Sequence, residues 1–419
     1  MLKEKFSGIK TNAIIAASVL LIFLAGCSSP PAVSVPTFSG EELVFTCGTL
    51  DKKGGHYKLG NDLELGGIAR VKINNTCLII AMDDITVDCD YKKISADNPM
   101  EGRGILASSV SNVTIKNCSI EGYGTTTTGT IDPRGSGAAF YGNGIRFESV
   151  TNGKIMGSKT KSNSSGIRIV GGNDNELLNN EVNDGIAITT GVNNTISNNK
   201  IGSGGISVSE GRDNRITKNE MTNGGGIRLT ATSSNFVSEN TISKTEGAMS
   251  LYASNKNQIT KNSIVDTVEV GLKIESSEDN SFSENEIQFN GQEGMVVSGT
   301  SKNNKFRKNK ICGNFSSRTN PLRFCKNTPS INQDVCKDEE YYLAGQIDYC
   351  ERNPQYFTCN FQIADFSCSE AQIDMGGNQW NIGDENLCGL TRSSKCQDIE
   401  QEPKDLFEEY RKKREIATR

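Results

Sequence analysis

The sequence predicts an all-β fold: a right-handed parallel β-helix with a cysteine-rich C-terminal cap and a short helical tail. Three observations point to this fold. A short motif recurs along the middle of the chain, hydrophobic residues make up only 35% of it, and glycine is abundant, with 43 residues among 419. An architecture with a thin core and many turns suits this composition.

The repeat reads Asn, any residue, an apolar residue, two residues, then Asn, any residue and a second apolar residue. Copies begin at Asn175, Asn194, Asn214, Asn235, Asn257, Asn280 and Asn304. A glycine-led strand such as Gly166-Ile-Arg-Ile169 precedes most copies, and alternation places its isoleucines inward and its arginine outward. Glycine and asparagine are expected at the corners, because they tolerate left-handed backbone. A single copy cannot bury its own apolar side, so the copies are predicted to stack as a solenoid.

The repeat grows toward the C-terminus. The spacing between first asparagines rises from 19 residues (175 to 194) to 24 residues (280 to 304). Most of the growth falls between the last apolar residue of a copy and the next glycine, so one corner is predicted to lengthen into a flaring wall. The sequence leaves open whether this wall borders a groove.

The N-terminus has the pattern of an export signal. Lysines precede an apolar run from Ala13 to Ala25, which ends in Leu24-Ala-Gly-Cys27 and resembles the bacterial lipobox. That resemblance implies a signal peptide over 1–26, lipidation of Cys27, and a protein anchored on the outer side of the cytoplasmic membrane or at the outer membrane or cell surface. A simple transmembrane anchor is the alternative. A flexible tether is predicted over 27–44 and the β-helix over 45–311.

Twelve cysteines remain after Cys27, which favours disulfides in an exported chain. The sequence assigns no pairs, and buried free thiols are the alternative for Cys89 and Cys118. Cysteine-rich terminal coils and a cap are predicted over 312–396, with Phe366-Ser-Cys368 and Gly377-Asn378 as candidate coils and an insertion between Asn314 and Gln362. A charged helical tail is predicted over 397–419.

The first coils of the repeat region resemble the NosD-like, pectin-lyase-like right-handed β-helix superfamily. The residues that carry this resemblance are Leu63-Glu-Leu65, Ile85-Thr-Val87-Asp-Cys-Asp90, Gly104-Ile105 and Asn112-Val-Thr-Ile-Lys-Asn117. The resemblance covers about 45–311. It implies the fold, whereas the function stays open, because lyases, epimerases, hydrolases, adhesins and scaffolds share this cylinder.

Several functional classes are disfavoured. A formal net charge of −5 argues against a nucleic-acid partner. With His56 as the single histidine, no metal site is predicted. Copper delivery, the role attached to the NosD name, is not carried over, because Met221 and Met295 fall on inward positions. Polygalacturonase-type hydrolysis is rejected, because the nearest motif, Asn183-Asp184-Gly185, lacks paired carboxylates and a histidine.

The asparagine columns allow two interpretations. They are either a sugar-binding ladder or an internal stack in which each side-chain amide bonds to the next coil, and the internal stack is favoured. The outward positions of the glycine-led strands form a second column, in which Arg146, Arg168, Arg228 and Lys273 are the predicted ligand-binding residues. Neighbouring arginines about 4.8 Å apart match carboxylates or sulfates on successive sugars. A solvated basic face is the alternative.

The stretch from Gly122 to Gly144 interrupts the repeat and supplies the catalytic candidates Asp132, Arg134 and Tyr141. Its Asp-Pro resembles the site of alginate epimerases, although the companion histidine is absent. The preferred hypothesis is a non-catalytic cell-surface lipoprotein that binds glycan or holds an envelope structure. One alternative is a lyase or epimerase of an acidic polysaccharide, for which calcium would be the cofactor. The other is a protein-binding scaffold or adhesin.

Overall fold

The chain folds into three long parallel β-sheets that run along one axis, and this arrangement confirms the predicted β-helix. The structure, a computed structural model, describes residues 40–66, 75–96, 102–124, 142–161, 163–312, 314, 366–368, 372–380, 386–388 and 390–393. The predicted signal peptide, Cys27, the helical tail and nearly all of the predicted insertion lie outside these residues. Within these ranges no helix has the length and apolar character needed to cross a membrane.

Each coil contributes one strand to each sheet in turn, from sheet A to sheet C to sheet B. Sheet A consists of β1 (Glu41–Val44), β3 (His56–Leu59), β6 (Thr86–Asp88), β9 (Thr114–Lys116), β12 (Lys154–Met156), β15 (Glu176–Leu178), β18 (Thr195–Ser197), β21 (Arg215–Thr217), β24 (Phe236–Ser238), β27 (Gln258–Thr260), β30 (Ser281–Ser283), β33 (Lys305–Arg307) and β36 (Ile373–Asp374). Sheet B consists of β2 (Gly48–Leu50), β5 (Thr76–Ile80), β8 (Arg103–Ser108), β11 (Asn143–Glu148), β14 (Ser165–Val170), β17 (Ile186–Thr189), β20 (Ile206–Ser209), β23 (Ile227–Thr230), β26 (Met249–Tyr252), β29 (Leu272–Glu275), β32 (Met295–Ser298) and β35 (Phe366–Cys368).

Sheet C is the third sheet, and a short hairpin follows its last strand. Sheet C consists of β4 (Leu63–Leu65), β7 (Lys93–Ala96), β10 (Ser119–Glu121), β13 (Lys159–Lys161), β16 (Glu181–Val182), β19 (Lys200–Ile201), β22 (Glu220–Thr222), β25 (Thr241–Ser243), β28 (Ser263–Val265), β31 (Glu286–Gln288), β34 (Lys310–Cys312) and β37 (Gln379–Trp380). The antiparallel hairpin pairs β38 (Asn386–Leu387) with β39 (Leu390–Thr391).

The core is a set of apolar columns that run along the axis inside the three sheets. Ile167 and Ile169 are fully buried, as their alternation predicts, and Ile167 lies in register with Ile186 on the next coil. The rings of Phe282 and Phe306 stack with their centroids 5.0 Å apart. Each such side chain contributes about 1.5–3 kcal/mol by leaving water, so stability is distributed along the whole solenoid.

The two asparagine columns are internal ladders, which confirms the favoured interpretation. The Oδ1 atom of Asn194 accepts hydrogen bonds from the backbone N of Asn175 at 3.0 Å and from its Nδ2 at 2.9 Å. The Nδ2 atom of Asn194 donates to Gly172 O at 2.9 Å and to Asn214 Oδ1 at 3.0 Å. Both ladders consist of buried residues, so a sugar cannot reach them. Their hydrogen bonds stabilise the stack of coils instead.

Asparagine occupies several of the left-handed corner positions, as expected, but the ladder asparagines themselves do not. The left-handed residue is the one immediately before each ladder asparagine, for example Asp174 with φ 55° and Asn179 with φ 55°. Lys218 and Glu239 fill the same position in later coils, with φ 57° and 55°. The ladder side chain must point inward, so the preceding residue makes the turn, and a solvent-exposed position of this kind accepts many residue types.

The glycines of the glycine-led strands serve mainly for close approach between coils. Of the six regular copies, only Gly185 and Gly205 have a positive φ. A Cβ atom on Gly226 would lie 1.5 Å from the carbonyl oxygen of Ala248 on the next coil. These positions therefore require glycine because neighbouring backbones meet there.

Both ends of the β-helix extend beyond the predicted 45–311. At the N-terminus β1 pairs with β3, so the fold begins at Glu41 within the predicted tether. Only Val44 of β1 points into the core, so no apolar alternation marks this strand. At the C-terminus β35, β36 and β37 add one coil on top of β32, β33 and β34. This confirms Phe366-Ser-Cys368 as a terminal coil strand, and Asn378 accepts from Asn309 to continue the ladder.

Disulfides link consecutive coils near the N-terminus. The pairs are Cys47–Cys77 and Cys89–Cys118, with sequence separations of 30 and 29 residues. The free-thiol alternative for Cys89 and Cys118 is therefore wrong. Equivalent positions on adjacent coils lie close together, here with a Cα–Cα distance of 4.7 Å, so two cysteines stacked there are placed to bond. Cys312 and Cys388 are disulfide-bonded as well.

The lengthening corner connects each sheet C strand with the next sheet B strand. It spans residues 183–185 between β16 and β17 and residues 289–294 between β31 and β32, as predicted. This corner lies at the start of the sheet B strands. The lengthened corner therefore lies along the edge of sheet B at which its strands begin.

Candidate anion-binding site on sheet B

The predicted outward column lies on sheet B. Strand register places Arg146 beside Arg168 on adjacent coils and continues the column to Arg228 and Lys273. Neighbouring strands are about 4.8 Å apart, so Arg228 lies three coil steps, or about 14 Å, beyond Arg168. The four predicted ligand-binding residues share one face but do not form one cluster.

Arg103, which the sequence prediction missed, joins Arg146 and Arg168. It opens β8 and lies in register with Asn143, at the start of β11. Burial lowers the pKa of the Arg103 guanidinium, and the nearby positive charge of Arg146 lowers it further. The same two causes, in the same order, lower the pKa of Arg168. The positive charge of Arg146 thus acts on both Arg103 and Arg168, which are partly buried.

Among the residues that the structure describes, Glu148 is the carboxylate that pairs with this cluster. Arg146 Nε lies 2.6 Å from Glu148 Oε1, an ion pair in which the N–H bond is not aligned with the oxygen. Arg146 also donates a hydrogen bond from a terminal nitrogen to Asn143 Oδ1 at 3.4 Å, so Asn143 positions it. Counting the described side chains alone, three positive groups and one negative group give a formal charge of +2. Arg103 and Arg168 form no ion pair within the described ranges.

The cluster contains hydrogen-bond donors without acceptors. Arg168 Nε is buried and has no hydrogen-bond partner among the described residues, and the same holds for Asn143 Nδ2. A buried donor left unpaired costs about 1–3 kcal/mol. Guanidinium groups bind carboxylates, sulfates and phosphates through paired hydrogen bonds. An oxyanion bound at Arg168 would therefore relieve both the unpaired donor and the mutual repulsion of the arginines.

The other two predicted ligand-binding residues differ from the cluster. Arg228 is exposed on β23 and forms no ion pair with a described residue. Lys273 lies 2.7 Å from Glu275 two positions later on the same strand, so its charge is already balanced. Arg228 thus extends the basic face, whereas Lys273 adds little to it.

The predicted catalytic residues Asp132, Arg134 and Tyr141 lie outside the described residues. The carboxylate of Glu148 pairs with Arg146, and Asp184 accepts a hydrogen bond from Asn163 Nδ2 at 3.0 Å. Neither is arranged with a second carboxylate.

The described residues do not fit a copper site. Met221 and Met295, the soft side chains considered for it, are buried in the core as predicted. No group of three or more His, Cys, Asp or Glu side chains among the described positions is arranged to hold a metal ion. We therefore propose no role for copper.

Comparison with known families supports the resemblance in the repeat region. Residues 181–321, roughly one third of the chain, match the model of the family described as "Periplasmic copper-binding protein (NosD)". Together with the three stacked parallel sheets, this match makes the repeat region a NosD-like, pectin-lyase-like parallel β-helix. No curated protein matches the chain.

Several solved structures share the architecture at low identity. The periplasmic alginate epimerase AlgG is 14% identical with a TM-score of 0.47, covering 66% of this chain and 73% of its own. The Dettilon tailspike protein is 13% identical with a TM-score of 0.42, covering 82% and 62%. The exopolygalacturonase from Thermotoga maritima is 11% identical with a TM-score of 0.42, covering 66% and 80%. We draw no functional conclusion from these similarities.

Proposed function

We propose that the protein binds an acidic glycan on the outer face of sheet B and that binding does not require catalysis. The observation that carries this proposal is the cluster of Arg103, Arg146 and Arg168, which shares one carboxylate and contains an unpaired guanidinium donor. A structural cluster would be expected to balance its charges internally. Within the described part of the chain this cluster has two more positive than negative groups, and a ligand anion is the partner that we propose for them.

The spacing of the cluster suits a polymer that carries a charge on each sugar. Arg146 and Arg168 lie in register on adjacent coils, about 4.8 Å apart along the axis. A carboxylate or sulfate on one sugar could pair with one arginine while its neighbour pairs with the next. Each such charge-assisted hydrogen bond contributes about 1.5–3 kcal/mol.

The cellular setting proposed for this activity is outside the cytoplasm. Disulfides such as Cys47–Cys77 form in oxidising compartments, and the matched family is described as periplasmic. We further propose that Cys27 is lipidated and anchors the β-helix to a membrane. Mass spectrometry of the mature chain tests this, since a lipidated N-terminal Cys27 and loss of residues 1–26 are expected.

The binding proposal is tested with the full chain, purified in a non-ionic detergent, against a panel of neutral and acidic polysaccharides with and without calcium. Selective capture of an acidic polymer is expected, and the double variant Arg146→Gln/Arg168→Gln should lose most of it. The matched control is Arg215→Gln/Arg307→Gln, which removes the same charge from exposed positions on sheet A. This control should bind like the unaltered protein.

Other outcomes of the same panel identify the alternatives. Calcium-dependent appearance of unsaturated or epimerised products would show a lyase or epimerase and contradict a purely binding role. Absence of binding to every glycan would refute the proposal and favour a protein-binding scaffold, for which crosslinking would recover a protein partner.

A further inference from the structure

The face that carries the arginine cluster also exposes an aromatic ring. Tyr252 ends β26 with 52% of its surface exposed, and it lies in register with Thr230 and Glu275 on the neighbouring coils. Its strand is four coil steps from that of Arg168, which is about 19 Å. An exposed tyrosine ring on a flat sheet offers a stacking surface for the apolar side of a sugar ring.

Small, uncharged side chains occupy the outward positions on the two coils that follow Arg168. Ala187 and Ser207 follow Arg168 in the first outward column. Thr189 and Ser209 take the same two coils in the second outward column. All four are partly exposed, so nothing on these two coils rises to block a chain lying along the axis.

The basic residues of this face give way to neutral and acidic ones around Tyr252. Arg228, one coil before Tyr252, is exposed and has no ion-pair partner in the part of the chain that the structure describes. On the next coil the Lys273 charge is neutralised by Glu275 at 2.7 Å, and the exposed Glu246 and Glu269 lie in the lengthened corner beside these coils. The basic stretch therefore ends at Arg228, one coil before Tyr252.

From these observations we infer that the glycan is a chain of at least about five sugars, since one coil step of about 4.8 Å is close to the length of one sugar in an extended chain. It lies along the β-helix axis, with its acidic groups on the arginine cluster and a sugar ring stacked on Tyr252 beside Arg228. This inference rests on the proposed function and adds a second subsite and a minimum ligand length to it.

The test compares oligogalacturonate and oligomannuronate fragments of increasing length, using calorimetry on the full chain. The unaltered protein should bind an octasaccharide more tightly than a disaccharide. Tyr252→Ala should weaken octasaccharide binding roughly 5–10-fold, the range expected for one lost aromatic stacking contact, and leave disaccharide binding unchanged. Arg146→Gln/Arg168→Gln should weaken both.

The matched control is Tyr91→Ala, which removes an exposed tyrosine between sheets A and C, away from sheet B. This variant should bind every fragment like the unaltered protein. Equal affinities of Tyr252→Ala and Tyr91→Ala for the octasaccharide, or an affinity that does not rise beyond the disaccharide, would overturn the inference and leave the arginine site standing. No binding of any fragment to the unaltered protein would remove the proposed function and the inference together.

Discussion

Replacing one ladder asparagine with alanine should cost a large part of the stability of the solenoid. Asn240 is fully buried, and its Nδ2 atom donates to Ile216 O at 2.8 Å and to Asn262 Oδ1 at 2.9 Å. Its Oδ1 atom accepts from the backbone N and from Nδ2 of Asn219, both at 3.0 Å. Asn240→Ala removes all four hydrogen bonds and leaves their buried partners unpaired.

At about 1 kcal/mol for each lost hydrogen bond, the expected loss is about 4 kcal/mol, which is a substantial fraction of a typical folding free energy. The assay is denaturant unfolding followed by far-ultraviolet circular dichroism. The matched control is Gln258→Ala, which truncates an exposed amide on sheet A. A loss in Asn240→Ala that is within about 1 kcal/mol of that control would refute the view that the ladders hold the coils together.

Three further predictions concern the corners, the disulfides and the surface charges. Ala253 adopts φ 49° at a corner where Gly171 and Gly299 serve in other coils, so Ala253→Gly should raise the unfolding free energy by roughly 0.5–1 kcal/mol; a lower denaturation midpoint would contradict this. Replacing Cys89 and Cys118 together with alanine opens a loop of 29 residues and should cost roughly 3.5 kcal/mol, and reductant should then shift the midpoint less than it does in the unaltered protein. Hydrogen bonds from Lys161 and Lys93 lower the pKa of Glu121, so its stabilisation is present above about pH 4.3 and is lost as the pH falls through the lowered value. Glu121→Gln should therefore cost at most about 1 kcal/mol at pH 7 and progressively less as the pH falls below about 4.3, and a cost that does not fall with pH in denaturant unfolding would disprove the assignment.

The fold of the repeat region could be predicted from the sequence because every coil needs the same residue types at the same positions. The inward positions of Ile167 and Ile169, the ladder role of Asn194 and the growing corner follow from spacing alone. The first strand could not be predicted, because β1 has a single inward residue, Val44. The left-handed corner residues were misplaced, because exposed positions such as Lys218 leave no compositional trace.

The site was only partly predictable. Arg146 and Arg168 follow from strand alternation, since the second residue after each glycine points outward. Arg103 was missed because it precedes Gly104, where simple alternation stops. Aligning the repeats with one another would have revealed Arg103, because Asn143 holds the same position before Gly144. The ion pair of Glu148 with Arg146 and the unpaired donor of Arg168 depend on side-chain geometry, which spacing does not determine.

The most direct test of the central claim is the salt dependence of binding to an acidic oligosaccharide. Titrations of the full chain with an octagalacturonate and an octamannuronate should show affinity that falls steadily as salt rises, because the arginine cluster supplies the attraction. Arg146→Gln/Arg168→Gln should bind about 100-fold more weakly, the loss expected when two charge-assisted contacts of about 1.5 kcal/mol each are removed, and with a shallower salt dependence. Arg215→Gln/Arg307→Gln should match the unaltered protein. Equal affinity and equal salt dependence in the two double variants would contradict the assignment of glycan binding to this face.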